Sequence, residues 1–295
     1  MPHPLSYSAT PVIEFKHEAI GSVRLFVKRE DLNHPFVSGN KWWKLKYNLE
    51  EAQRIGNDTL LTFGGAYSNH LYATSAAALE LGMKSIGIVR GERSEPLNHT
   101  LSFAESRGMK LQFITREDYR KKNEPEFLKS LRDQFGEAYI IPEGGTNEFA
   151  VRGCTEFVKT LEQEIDFDYL CLPIGTGGTM AGMIEGLSSN KKVIGFSSLK
   201  GGDFLKEEIQ SIISDTQLDW HVNTDYHFGG YGKTTPALIS FIEDMKKNYR
   251  LPLDQVYTAK MMMGIFDLIR QDYFKHGSTI LVLHTGGLQG NHSIK

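Results

Sequence analysis

Cysteine is scarce: the 295 residues hold two, Cys154 and Cys171. No disulfide framework can be built from them, and neither has a second pair or a histidine at zinc-ligand spacing. Both read as packing residues in a reducing setting. Long apolar runs are missing too. The most continuous, around Tyr169 to Ile174 and Ile280 to Leu283, fall far short of the roughly 20 residues that span a bilayer. Met1 to Ser8 lacks the basic and apolar segments of a signal peptide, so a soluble, cytoplasmic protein without membrane contact is expected. There is no excess of positive charge, with 33 Lys and Arg against 36 Asp and Glu and a net charge of -3. The basic residues are scattered, which argues against a nucleic-acid partner. Repeats, low-complexity tracts and proline-rich linkers are absent, so composition marks no domain boundary.

What is present describes a packed chain. Apolar residues make up 40% and charged residues 23%, and the length suits one large domain or, as favoured here, two. Short apolar or β-branched runs at Val23 to Val27, Thr59 to Phe63, Ser85 to Val89, Leu111 to Ile114, Ala138 to Ile141, Tyr169 to Leu172, Val193 to Phe196 and Thr279 to Leu283 read as buried strands. Between most of them lie segments of helical periodicity, such as Leu71 to Leu81, Phe149 to Leu161 and Pro236 to Met245. This alternation predicts an α/β fold with mostly parallel sheets covered by helices.

Three of these strands run into glycine-rich turns: Gly64-Gly65-Ala66-Tyr67-Ser68-Asn69, Gly175-Thr176-Gly177-Gly178-Thr179 and His284-Thr285-Gly286-Gly287. Ligands of open α/β sheets sit beyond the carboxyl ends of strands, so the three turns are expected to converge on one cleft. The Gly175 to Thr179 turn opens a helix. Its glycines admit an anion to backbone N–H groups, the helix N-terminus adds positive potential, and the threonines add hydroxyl donors, which together suit a phosphate. A dinucleotide fingerprint would need glycine at Met180, and a P-loop would need Gly-Lys-Ser/Thr, so neither applies. The plain alternative is a tight turn with no ligand.

Lys41 stands in Ser38-Gly39-Asn40-Lys41-Trp42-Trp43-Lys44-Leu45. Ser38 or Asn40 can cap a helix there, placing Lys41 in its first turn, where the positive helix end disfavours another cation. Together with burial beside two tryptophans, that field would lower its pKa and make the amine nucleophilic. The plain alternative is a solvated surface lysine.

The segments Lys28-Arg-Glu-Asp-Leu32, Ser38-Gly-Asn-Lys41-x-x-Lys44-Leu, Gly64-Gly-x-x-Ser68-Asn69-His70, Gly175-Thr-Gly-Gly-Thr179, Gly229-Gly-Tyr231-Gly, Val256-Tyr257-Thr258-x-Lys260 and His284-Thr-Gly-Gly287 follow in this order over nearly the whole chain. As an ordered set they resemble the 1-aminocyclopropane-1-carboxylate deaminase and D-cysteine desulfhydrase family. The resemblance implies the tryptophan synthase β-like, fold-type II architecture of pyridoxal-phosphate enzymes, with two open twisted sheets. It implies a large domain from residues 1–47 and 153–295, a smaller inserted α/β domain from 48–152, and pyridoxal 5'-phosphate between them. Lys41 would be the Schiff-base lysine and proton carrier. Lys44 with Gly175, Thr176, Gly177, Gly178 and Thr179 would bind the phosphate, and Asn69 would meet the ring hydroxyl. Ser68 would hold the substrate carboxylate or assist proton transfer, Tyr257 would stack on the ring, and Tyr231 would face the substrate. His70 reads equally well as a packing residue. A homodimer is implied as well.

Two positions depart from the family. Tyr67 stands where glutamine is common and Tyr72 where arginine is frequent, which predicts a smaller or more aromatic substrate pocket. Thr258 stands where the cyclopropane deaminases carry glutamate and the desulfhydrases threonine, facing the ring nitrogen. A neutral threonine cannot hold a proton there by charge. The resulting expectation is a lyase acting on a small amino acid by α-proton loss and β-elimination, giving keto acid and ammonia, with cyclopropane deamination as its rival. From other classes, the rivals are a non-catalytic cofactor- or metabolite-binding protein, which has no need of Lys41, Ser68 and two phenols together, and a nucleotide-binding protein.

Overall fold

A computed structural model describes residues 5–188 and 190–293. Its first half runs β1 (Val12–Glu14), β2 (Arg24–Lys28), α1 (Asn40–Arg54), β3 (Thr59–Gly65), α2 (Asn69–Glu80), β4 (Lys84–Arg90), α3 (His99–Ser106), β5 (Met109–Ile114), α4 (Arg116–Arg120), α5 (Pro125–Phe135), β6 (Tyr139–Ile141) and α6 (Glu148–Glu164). It continues with β7 (Tyr169–Ile174), α7 (Gly178–Gly186), β8 (Lys192–Ser197), α8 (Phe204–Gln210), β9 (Asp219–Asn223), α9 (Pro236–Tyr249), α10 (Thr258–Arg270) and β10 (Thr279–Leu283). All eight strands expected from apolar runs are present. β1 and β9 had no such signal: both lie at sheet edges, and neither is buried along its length.

The strands form two sheets, ordered β1-β2-β10-β7-β8-β9 and β5-β4-β3-β6. Every pairing is parallel except β1 with β2. Central strands such as β3 and β10 are buried almost throughout, which is why they read as unbroken apolar runs rather than alternating ones. The sheets share a core: Leu60 of β3, Ala73 and Ala76 of α2 and Ile141 of β6 cluster with Leu45, Phe157, Leu172 and Leu281. At its centre Trp43 of α1 stacks on Phe157 of α6, with ring centroids 4.7 Å apart. Each large apolar side chain so buried contributes about 1.5–3 kcal/mol.

The strand order locates the cleft. In the larger sheet the chain moves outward through β7, β8 and β9, then returns to place β10 on the other side of β7. In the smaller sheet it moves through β3, β4 and β5, then returns to place β6 on the other side of β3. Each reversal leaves a crevice at the carboxyl ends of its two strands. The turns after β7 and β10 border one crevice, and those after β3 and β6 border the other.

Candidate active site

Lys41 enters the site at the head of α1, in the first turn as expected, but the cap is neither Ser38 nor Asn40. The N-cap is Gly39, with φ 69° and no side-chain capping bond. Its amide donates to the Glu30 carbonyl and to Asn33 Oδ1, both at 2.9 Å, and a Cβ there would lie 1.9 Å from the Thr285 carbonyl oxygen. Only glycine fits such an approach in that conformation. Glu30 also supports the helix from behind. It is buried and accepts from Trp43 Nε1 at 2.7 Å, from Asn33 at 2.9 Å, from Tyr7 at 3.2 Å and from the Thr10 hydroxyl. Burial raises its pKa. The Lys28-Arg-Glu-Asp-Leu32 segment therefore braces the lysine-bearing helix.

Lys41 Nζ donates to Asn40 Oδ1 at 2.9 Å, and Asn40 Nδ2 donates to Thr179 Oγ1 at 2.8 Å. Lys44 Nζ donates to Thr146 Oγ1 at 3.0 Å and to Thr176 Oγ1 at 3.4 Å. Among the described residues neither amine forms a close ion pair with a carboxylate, although the Asp254 charge acts on Lys41 from farther off. Burial lowers the Lys41 pKa to about 8; burial and then the Lys41 charge lower that of Lys44 to about 7. A phosphate beside the two amines would favour the charged forms that burial disfavours.

The Gly175 to Thr179 turn forms the floor. Gly177 caps α7 in the left-handed region, and the residues from Gly178 to Ile184 are buried. A Cβ at Gly178 would lie 2.7 Å from Thr146 Oγ1, and one at Gly175 would lie 3.2 Å from the Tyr257 hydroxyl. Sequence reading missed a fourth wall, the Glu143-Gly144-Gly145-Thr146 turn after β6. Gly144 at φ 66° packs on Thr176, where a Cβ would lie 2.7 Å from its hydroxyl, and Thr146 Oγ1 lies 2.7 Å from Thr176 Oγ1. Its signal was available, since it repeats the pattern of strand, paired glycines and helix.

The other turns complete the cleft. Ser68 caps α2, its Oγ accepting from the Leu71 amide at 3.2 Å, which leaves the hydroxyl hydrogen to donate elsewhere. Asn69 Oδ1 accepts from Gln289 Nε2 at 2.8 Å. Tyr231 meets Tyr257 edge to face, centroids 6.0 Å apart. Burial raises the pKa of both phenols, with Tyr231 adding to the rise at Tyr257. Thr258 is buried at the head of α10, where its hydroxyl donates to Asp254 Oδ1 at 2.7 Å and accepts from the Asp254 amide at 2.8 Å. Lys260, the last residue of the Val256-Tyr257-Thr258-x-Lys260 motif, donates to the carbonyls of His227 at 2.9 Å and Gly230 at 2.8 Å. It pins the loop that carries Tyr231.

Three expected neighbours lie differently from one another. Tyr67 is 55% exposed. Tyr72 is buried and stacks on Phe103 at 3.7 Å, so it packs α2 against α3. His70 is a packing histidine on one side: Thr62 Oγ1 donates to the Ile141 carbonyl at 2.8 Å and so accepts from His70 Nε2 at 2.8 Å. Cys154 and Cys171 are buried and free.

The donor set fits pyridoxal phosphate: two ammonium groups, three threonine hydroxyls and a glycine turn at a helix N-terminus face one floor, with a tyrosine ring beside it. Comparison with known proteins agrees. The family described as pyridoxal-phosphate dependent enzyme matches residues 4–286. A putative 1-aminocyclopropane-1-carboxylate deaminase of Thermotoga maritima is 31% identical, covering 97% of this chain and 96% of its own. A bifunctional D-cysteine desulfhydrase/1-aminocyclopropane-1-carboxylate deaminase of Arabidopsis thaliana, described as mitochondrial, is 28% identical over 97% of this chain and 78% of its own. A crystal structure described as an ACC deaminase homologue superposes with a TM-score of 0.81 at 28% identity, covering 96% of this chain and 91% of that one.

Proposed function

The chain belongs to the pyridoxal-phosphate dependent enzyme family, and on that premise we propose that it is a lyase of D-cysteine desulfhydrase type. It would remove the α-proton of a small amino acid and expel a β-substituent, leaving keto acid and ammonia after hydrolysis. The observation that carries this reading is Lys41, whose amine has a pKa lowered to about 8 and lies one hydrogen-bonded link from the phosphate turn through Asn40.

When bound, the cofactor supplies the electron sink for charge left at the substrate Cα. In this reading Lys41 holds the cofactor and carries the α-proton. Lys44, Thr176 and Thr179 bind the phosphate within the Gly175 to Gly178 turn, and Asn69 meets the ring hydroxyl. Ser68 donates its free hydroxyl hydrogen to the substrate carboxylate. Tyr257 forms the wall beside the ring, and Tyr231 faces the substrate. Both phenols have raised pKa values and so serve as hydrogen-bond donors, not as bases.

Thr258 decides between the two reactions of the family. Being neutral, with its hydroxyl hydrogen committed to Asp254, it cannot hold a proton on the ring nitrogen by charge. Opening a cyclopropane demands a strong sink, whereas β-elimination is assisted by its departing group. The names of the relatives favour the second reading, cyclopropane deamination. We further propose a cytoplasmic homodimer acting without nucleic acid, with residues 1–47 and 153–295 forming one body and 48–152 the other. The two divisions would run through α1 and α6, which join the sheets.

The test is one preparation assayed for keto acid and ammonia with D-cysteine, L-cysteine, D-serine and 1-aminocyclopropane-1-carboxylate. D-Cysteine should be turned over best. Preferential turnover of the cyclopropane acid would reverse the ranking, and inertness towards all four would favour a binding protein.

A further inference from the structure

Asn69 heads α2 with a carboxamide whose two ends have opposite hydrogen-bonding capacity: the oxygen only accepts and the NH2 only donates. Which end faces the cleft decides what the residue can do there. Gln289, 220 positions away in the chain, donates its Nε2 to Asn69 Oδ1 at 2.8 Å. That contact draws the oxygen towards Gln289 and turns the NH2 the other way.

The opposite side is occupied by Gly287 and Asp254. Gly287 has φ +88°, and a Cβ there would lie 2.9 Å from Asn69 Nδ2 and 3.3 Å from Asp254 Cγ. The Asp254 carboxylate is buried and accepts from the amides of Val256 and Tyr257 at 2.9 Å, and from the amide and hydroxyl of Thr258 at 2.7 Å. A carboxylate on that side attracts the NH2 and repels the amide oxygen. Two groups from different parts of the chain therefore select the same orientation.

Gln289 is itself held in place. It lies in a short 3-10 helix, Leu288–Ser293, whose Asn291 donates to the Leu253 carbonyl at 2.8 Å and accepts from the Gln255 amide at 3.3 Å. The 3-10 helix thus ties the head of α2 to the segment that carries Asp254, Tyr257 and Thr258.

We infer that Gln289 is a positioning residue that sets Asn69 as a hydrogen-bond donor within the cleft. The inference rests on the proposed meeting of Asn69 with the ring hydroxyl of the cofactor. A donor at that oxygen stabilises its deprotonated form, so the orientation governs cofactor affinity and the pH response of the visible band.

Two variants separate orientation from packing. Gln289→Glu keeps the shape but can only accept, so Asn69 must turn its NH2 towards it and offer its oxygen to the cleft. Gln289→Met keeps length and neutrality, and leaves orientation to Asp254 alone. The Glu variant should bind pyridoxal phosphate more weakly by on the order of tenfold, as expected for one misdirected hydrogen bond. Its visible band should change at higher pH than in wild type, with the Met variant in between. Thermal unfolding of the cofactor-free proteins should be unchanged. A Glu variant with the wild-type affinity and pH response would overturn the inference, as would equal losses in both variants without a spectral change. Wild-type protein that takes up no coloured cofactor would instead sink the functional reading on which this one rests.

Discussion

At the lysine end of the cleft, Lys41 is linked to Thr179 through Asn40 and Lys44 donates to Thr146 and Thr176, and Gly39, Gly144 and Gly178 each lie where a Cβ would meet a neighbour at 2.7 Å or less. At the end proposed for the substrate, Tyr67 is 55% exposed, while Tyr72 is buried and stacks on Phe103. The first region leaves no room for change at its glycines, and its chemistry can be read from residue types alone. The second is lined by side chains with room to differ. On the proposed assignment, cofactor use is fixed by contacts that exclude alternatives, and substrate choice is left to residues that tolerate them.

The sharpest way to break this comparison is at Lys41. Lys41→Ala should lower turnover by roughly 10²–10⁴-fold or more and abolish the borohydride-reducible link between protein and cofactor, while some cofactor stays bound through the phosphate turn. Mass spectrometry after reduction checks this, and a link found at another lysine would defeat the assignment.

A smaller effect is expected at the floor. Thr179→Ala removes a hydroxyl from the proposed phosphate site, and a hydrogen bond to a charged group is worth about 1.5–3 kcal/mol, or roughly 10- to 150-fold in affinity. Cofactor titration should show that loss with the fold intact. Retention equal to wild type on dialysis would count against a phosphate at this turn.

The smallest effect should come from Tyr72→Leu, outside the lysine region. Losing the stack on Phe103 should destabilise the protein by about 0.5–1.5 kcal/mol beyond the change in buried area, measured by denaturant unfolding, with cofactor affinity unmoved. A weakened cofactor complex at unchanged stability would instead put Tyr72 at the cleft and erase the contrast between the two regions.

Legibility followed the same division. Buried parallel strands announce themselves as continuous apolar runs, so β2 to β8 and β10 were visible, whereas Val12–Glu14 and Asp219–Asn223 are half-exposed edges with too little apolar pattern. Lys41 and the Gly175 to Thr179 turn carry local signals. The cap of α1 does not, because Gly39 is demanded by the Thr285 carbonyl from the far end of the chain. The role of Lys260 depends on carbonyls of a distant loop, and the role of Gln289 on an asparagine 220 positions away. No spacing rule in one sequence reports such contacts, and the Tyr72 stack is equally silent.

The Gly39 contact with Thr285 also bears on how the protein comes into being. Lys41 is made well before the backbone against which its helix cap rests. Until Thr285 and Gly286 have left the ribosome, Gly39 has its bonds to Glu30 and Asn33 but not the carbonyl it packs against, and β10 is not in place between β2 and β7. Contacts between such distant positions close slowly, because chain entropy is lost before the contact is gained. The nascent protein can therefore form its smaller sheet from residues already made, while Lys41 acquires its fixed position only after β10 and the turn beyond it have been made.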